Sequence, residues 1–248
     1  MNLSGHTILI TGATSGIGLG LAEKFLELDN QVIICGRREE RLRKIKDIFP
    51  SIESRVCDMS DKEARKNLFD WTISNYPAID VLVNNAGVQL AVNLQQEVNL
   101  DKVHEELEVN FVAPVHFSSL FTPYLEKAKE PAIINISSGL AFAPLAFMPI
   151  YCASKAAIHS YSLSLRRQLR NTSIKVFEIV PPSVDTELGH ERRASKTLTH
   201  GGIPVKEFVE ATMELLKKDQ LEGAVGQAIG LYTKRESMFE TMNDRVSR

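Results

Sequence analysis

Short apolar, β-rich runs alternate along the chain with longer segments in which apolar positions recur every three or four residues. The short runs fall at residues 7–10, 31–35, 54–57, 81–83, 132–136, 175–180 and 224–229. The longer segments lie between them, at 17–28, 39–47, 62–75, 101–125, 150–170 and 205–217. Ile8-Leu9-Ile10 and Val81-Leu82-Val83 show no polar alternation, the pattern of a strand buried on both faces. Strand alternating with helix predicts a parallel sheet covered on both sides. Right-handed crossovers then favour an α/β, doubly wound sheet.

No proline- or glycine-rich linker, internal repeat or low-complexity tract interrupts this alternation, so residues 1–248 are expected to form a single domain. Two segments stand outside it. Residues 187–203 are polar, carry His190, His200 and Gly201-Gly202, and read as a long loop of the kind that often covers a substrate. Residues 234–248 read as a short amphipathic helix with Met238, Phe239 and Met242 on one side, packing on the domain edge or against a second copy.

Candidate chemistry begins directly after the first strand, at Thr11-Gly12-Ala13-Thr14-Ser15-Gly16-Ile17-Gly18. Glycines there permit a tight turn and close backbone approach, and the helix that follows offers unpaired N–H groups and a positive dipole end to a phosphate. The spacing is G-x-x-x-G-x-G, not the G-x-G-x-x-G of the usual dinucleotide turn, and no Gly-Lys-Ser/Thr of a P-loop follows. The second strand ends at Cys35-Gly36-Arg37-Arg38. An acidic residue near this point would grip a free ribose 2′-hydroxyl, whereas the guanidinium of Arg37 suits a 2′-phosphate. The turn and the arginine together favour NADP(H) over NAD(H) as cofactor.

The second constellation is Ser138, Tyr151 and Lys155. Ser138 follows the strand at 132–136 and so lies at the carboxyl edge, where open α/β sheets bind ligands. Tyr151 and Lys155 are four apart in a helical segment and share a face. A phenol of ordinary pKa near 10 is a poor acid–base group at neutral pH, and a neighbouring ammonium lowers it. Asn110 is polar within an apolar helical stretch, and Pro114, four residues on, has no N–H to bond its carbonyl. An orphan carbonyl of that kind can hold a water.

Charge and composition narrow the partners. With 29 basic and 31 acidic residues the net charge is −2, which offers nothing to nucleic acid or an anionic membrane. The basic run from Arg37 to Lys46 is interleaved with acids and reads as a solvated helix face. Three unpaired cysteines, Cys35, Cys57 and Cys152, support neither a disulfide framework nor a metal site. No signal-peptide pattern opens the chain and no apolar run reaches the roughly 18 residues of a membrane span, so the cytoplasm is expected.

Together the motifs closely resemble those of the short-chain dehydrogenase/reductase family. They are T-G-x-x-x-G-x-G at Thr11–Gly18, Asp58 after the third strand, Asn84-Asn85-Ala86-Gly87, Asn110, Ser138, and Y-x-x-x-K at Tyr151–Lys155. The resemblance runs from Thr7 to about Gly230 and implies a Rossmann-like sheet of about seven strands. It implies that Gly12, Thr14, Ser15, Gly16, Ile17 and Gly18 cradle the cofactor, that Asp58 and Met59 meet its adenine, and that Asn85 lies along the adenosine ribose. It places Lys155 on the nicotinamide ribose, with Pro181, Val184 and Thr186 near the carboxamide. Ser138 would orient the reacting oxygen, Tyr151 would be the general acid/base, and Asn110 would hold a relay water. Leu140 and Phe147 join Ser138 and Tyr151 as expected substrate contacts.

Two departures from the family pattern matter. Pro182 stands where glycine is usual, and the frequent Asp-Gly-Gly ending is missing, which disfavours a tetramer and leaves a homodimer. The expected function is NADP(H)-preferring interconversion of a carbonyl compound and a secondary alcohol. The alternatives are a cofactor-binding redox sensor without turnover and an oligomeric scaffold acting through its tail.

Overall fold

The computed structural model describes residues 1–189 and 201–246. Its strands are β1 (Thr7–Thr11), β2 (Gln31–Gly36), β3 (Glu53–Val56), β4 (Val81–Asn84), β5 (Ala132–Ile136), β6 (Lys175–Val180) and β7 (Glu222–Ala224). They form one seven-stranded sheet in the order β3-β2-β1-β4-β5-β6-β7, with every pairing parallel. The order reverses between β1 and β4, and a ligand crevice is expected at the carboxyl ends there. The expected α/β, Rossmann-like doubly wound sheet is the fold observed.

Strand pleating divides each apolar run between two cores. Ile8 and Ile10 join Leu21 of α1 (Gly16–Glu27), Leu42 of α2 (Glu39–Ile48) and Phe208 of α7 (Val205–Lys217) on one face. Leu9 points the other way, into a cluster with Leu68 of α3 (Lys62–Asn75), Phe117 of α5 (Ala113–Leu125) and Leu165 of α6 (Pro149–Gln168). Among the described residues no helix is long and apolar enough to cross a membrane.

One row of the sheet breaks the apolar rule. The register aligns Asn84, Asn135, Glu178 and Glu222 across β4 to β7. Asn84 Nδ2 donates to Asn135 Oδ1 at 2.8 Å, and Asn135 Nδ2 donates to Ser162 Oγ of α6 at 2.9 Å. Glu178, fully buried, meets His159 Nδ1 of α6 at 2.8 Å, and Arg166 of α6 reaches the Leu221 and Val176 carbonyls. A buried polar group needs a directed partner, so this row sets the rotation and height of α6 on the sheet. That is the helix that carries Tyr151 and Lys155.

Two elements differ from the sequence expectation. The last strand is Glu222–Ala224, not 224–229, and Ala228–Lys234 is a helix, α8. Gly226, with φ of +54°, turns the chain out of the ladder after Ala224. The long helix expected at 101–125 is broken into α4 (Leu100–Leu107), a π turn (Glu108–Val112) and α5. The Ala113 N–H reaches back five residues to the Glu108 carbonyl, and Pro114 supplies no donor. The tail is a 3₁₀ turn (Arg235–Met238) followed by α9 (Phe239–Val246), and most of the expected loop at 187–203 lies outside the described residues.

Phe117 and Phe121 are fully buried and stack edge-on with centroids 5.6 Å apart. Phe117→Ala should lower the unfolding free energy by about 3–5 kcal/mol, read as a lower urea midpoint at unchanged slope. A shift below about 1 kcal/mol would mean the helix-facing core is not packed as described.

Candidate active site

The carboxyl ends of β1, β2, β4, β5 and β6 open into one cleft of about 1090 Å³. At one end is the glycine turn. Gly12 has φ of +67°, and a Cβ built there would lie 2.6 Å from Ala86 Cα. Backbone meets backbone at this point, and only glycine fits. Asn85 pins the contact: its backbone N–H donates to Thr11 Oγ1 at 3.0 Å and its side-chain amide to the Thr11 carbonyl at 2.9 Å. Ser15 precedes α1 in extended conformation and makes no side-chain cap, so the first-turn N–H groups of α1 remain for an anion at the cleft.

Three arginines surround the same end. Arg37 NH1 lies 3.0 Å from Glu105 Oε1 and 3.9 Å from Asp58 Oδ2. The Arg38 guanidinium donates to Thr14 Oγ1 (2.6 Å), Ser15 Oγ (2.8 Å) and Glu187 (2.6 Å), and Arg41 NH1 donates to the same Glu187 oxygen at 2.7 Å. Burial works to raise the Glu187 carboxyl, but hydrogen bonds from Arg38 and Arg41 prevail and hold it at about 2. Two guanidinium groups on one carboxylate make this end of the cleft cationic. Arg38, Arg41 and Glu187 were not singled out from the sequence. Only the spacing of Arg38 and Arg41, one helical turn apart at the start of α2, could have signalled it, and that run reads from the sequence as a solvated face.

The other end holds the acid–base residues. Tyr151 and Lys155 are both 5% exposed and lie one turn apart near the start of α6. Lys155 Nζ donates to the Ile136 carbonyl at the end of β5 (2.9 Å) and lies 5.8 Å from the Tyr151 ring centroid. Burial lowers the Lys155 pKa to about 8, against the opposing charges of Glu106 and Glu178. Ser138 caps the 3₁₀ turn Gly139–Ala141, its Oγ accepting the Leu140 N–H at 3.1 Å. Asn110 sits in the π turn and clamps Val88 through both its N–H and its carbonyl, at 2.8 and 2.9 Å, while also donating to Ser154 Oγ of α6 at 3.0 Å. Beside it, a Cβ added to Gly87 would lie 3.5 Å from Asn110 Oδ1 and 3.7 Å from Lys155 Nζ, so both groups face one point of the cleft.

Of the residues expected to bind cofactor, Gly12, Thr14, Ser15, Gly16, Ile17, Gly18, Arg37, Asp58, Met59, Asn85, Tyr151, Lys155, Pro181 and Thr186 line the cleft. The Val184 side chain is buried in the core, and its backbone bridges to Ile203. Ser138 lies beside the lining residue Ser137, and Leu140 and Phe147 pack with Leu145 and Leu188 around Tyr151 and Cys152. Cys35, Cys57 and Cys152 are buried free thiols.

Sequence comparison agrees with this geometry. A family model described as short chain dehydrogenase matches residues 6–197. The chain belongs to that family, and it is an oxidoreductase. It is 46% identical over 250 residues to "Uncharacterized oxidoreductase DltE" of Bacillus subtilis, covering 98% of each chain. It is 31% identical to "NADP-dependent 3-hydroxy acid dehydrogenase YdfG" of Salmonella typhimurium, over 77% of this chain and 80% of that one. A solved short chain dehydrogenase from Burkholderia cenocepacia in complex with NADP superimposes with a TM-score of 0.81 at 27% identity, covering 94% of both chains.

The turn at Gly12 and the free first turn of α1 fit the pyrophosphate of a nicotinamide dinucleotide. Gly12→Val should therefore weaken NADPH and NADH alike by at least about tenfold in a fluorescence titration, since a branched side chain at positive φ clashes with Ala86. Unchanged affinity for both would remove the glycine turn from cofactor binding.

Proposed function

We propose that the protein is an NADP(H)-preferring oxidoreductase that interconverts a carbonyl compound and a secondary alcohol. The observation that carries this reading is the buried Lys155 ammonium one helical turn from Tyr151, at the carboxyl edge of the sheet. A cation there favours the phenolate form of Tyr151 and brings a phenol into the range useful for acid–base work. The bound nicotinamide supplies or accepts the hydride. Tyr151 gives its proton to the carbonyl oxygen in reduction and takes it from the hydroxyl in oxidation. Ser138 holds that oxygen by a hydrogen bond, and Lys155 also bonds the nicotinamide ribose. Asn110 keeps a water in line toward Lys155, from the point it shares with that residue beside Gly87.

Cofactor preference follows from charge. Arg37 and Arg38 flank the position where the adenosine ribose would lie, and no acidic residue stands at Gly36. Two guanidiniums favour a 2′-phosphate, and the names of the YdfG relative and the Burkholderia structure mention NADP. Two copies of the chain pair through α5, the π turn before it and α6, where Val112, Tyr124 and Leu163 leave apolar surface exposed.

Tyr151→Phe should reduce kcat for carbonyl reduction by about 10²–10⁴-fold with little change in the NADPH dissociation constant. Near-normal turnover in a broad carbonyl screen would exclude Tyr151 as the acid. Arg37→Asp and Arg38→Asp should each cost NADPH at least about tenfold in kcat/KM relative to NADH, because a carboxylate repels the phosphate and accepts a ribose hydroxyl. An unaltered ratio in both variants would show that neither arginine reads the phosphate.

A further inference from the structure

Residues 139–148 connect Ser138 to the helix that carries Tyr151, and after the 3₁₀ turn at Gly139–Ala141 they follow an irregular path. Its own backbone bonds are short turns, such as Phe142 N–H to the Gly139 carbonyl and Met148 N–H to the Leu145 carbonyl, so contacts from outside help to fix its path. Here the C-terminal helices hold it at three points. Gly139 is pressed by α8: a Cβ there would lie 2.8 Å from Leu231 Cδ1 and 3.2 Å from Ala228 Cβ. Phe142, 1% exposed, meets the Tyr232 ring edge-on at 4.9 Å, with the Arg235 guanidinium 5.2 Å from its centroid. Asn243 of α9 then grips the backbone: its Oδ1 accepts the Ala146 N–H at 2.7 Å and its Nδ2 donates to the Pro144 carbonyl at 3.2 Å.

The last contact is specific to an amide. A donor and an acceptor on one planar group match the N–H and C=O of residues two apart, as a neighbouring strand would. On its inner side the same segment presents Leu140, Leu145 and Phe147 around Tyr151, and the Phe147 carbonyl accepts the Val92 N–H at 2.9 Å. The brace and the apolar wall are thus opposite sides of one stretch of chain.

We propose that the C-terminal helices brace the substrate wall, that Asn243 is its positioning residue, and that the wall receives an apolar portion of the substrate. The proposal rests on the reading of Ser138 and Tyr151 given above. It places specificity partly in a side chain nearly a hundred residues away from the segment it positions.

Asn243→Leu keeps the size of the side chain and removes both hydrogen bonds to the segment. Hydrogen–deuterium exchange should show the Ala146 amide exchanging about tenfold faster, the loss expected for one net hydrogen bond. With NADPH as reductant, the preference for 2-octanone over 2-butanone, as a ratio of kcat/KM, should fall by about tenfold. The NADPH dissociation constant should stay within about twofold, since the cofactor end is not touched. Asn243→Asp, which keeps an acceptor for the Ala146 N–H, should fall between wild type and leucine in both readouts. Unchanged exchange and an unchanged ketone ratio in the leucine variant would overturn the brace. If wild type reduces neither ketone, the reading of Tyr151 is what suffers, and exchange at Ala146 still decides for or against the brace.

Discussion

An ammonium group shut away from water is the constraint around which this site is organised. Lys155 is 5% exposed and its nitrogen bonds the carbonyl at the end of β5. Burying a charge is costly unless it is paired or hydrogen-bonded. Burial draws the group down to about 8, while Glu106 and Glu178 act to keep it charged. At neutral pH the cation is therefore mostly retained, and it is lost as pH rises through that value. A hydrated surface lysine would be screened, and its effect on a phenol one turn away would be small.

Holding such a group in place requires a helix that cannot rotate. Apolar packing alone is poorly directional, since side chains of similar volume repack at low cost. The polar row from Asn84 to Glu222 is directional. Ser162, His159 and Arg166 on α6 each find a partner on or beside the sheet, and a small rotation of the helix would strand buried polar atoms. Asn110 makes a similar connection from the π turn through Ser154, and Asn243 does so from the tail.

The two ends of the cleft solve different electrostatic problems. At the acid–base end one cation is largely buried, so that its field is weakly screened. At the glycine turn three arginines remain partly exposed and are balanced by Asp58, Glu105 and Glu187. An open cationic pocket can exchange a carboxylate partner for a phosphate without a large desolvation cost. Glu187, which lines the cleft, is the carboxylate that Arg38 and Arg41 share.

The alternation of apolar runs with helical periods determined the sheet, its parallel sense and six of its seven strands closely, because buried strands and amphipathic helices are local patterns. Motif order likewise placed the glycine turn, Tyr151 and Lys155, since four residues in a helix are one turn wherever the helix goes. What the chain did not disclose depends on distant segments. The end of β7 is set by its pairing with β6 and the turn at Gly226, and the π turn by a proline acting on residues before it. The Val184 side chain packs in the core, a placement the motif around it does not reveal. The Arg38–Glu187 and Asn243–Ala146 contacts join residues 149 and 97 apart. No local period records such pairs; only the folded chain, which brings loop, tail and strand ends to one edge of the sheet, decides them.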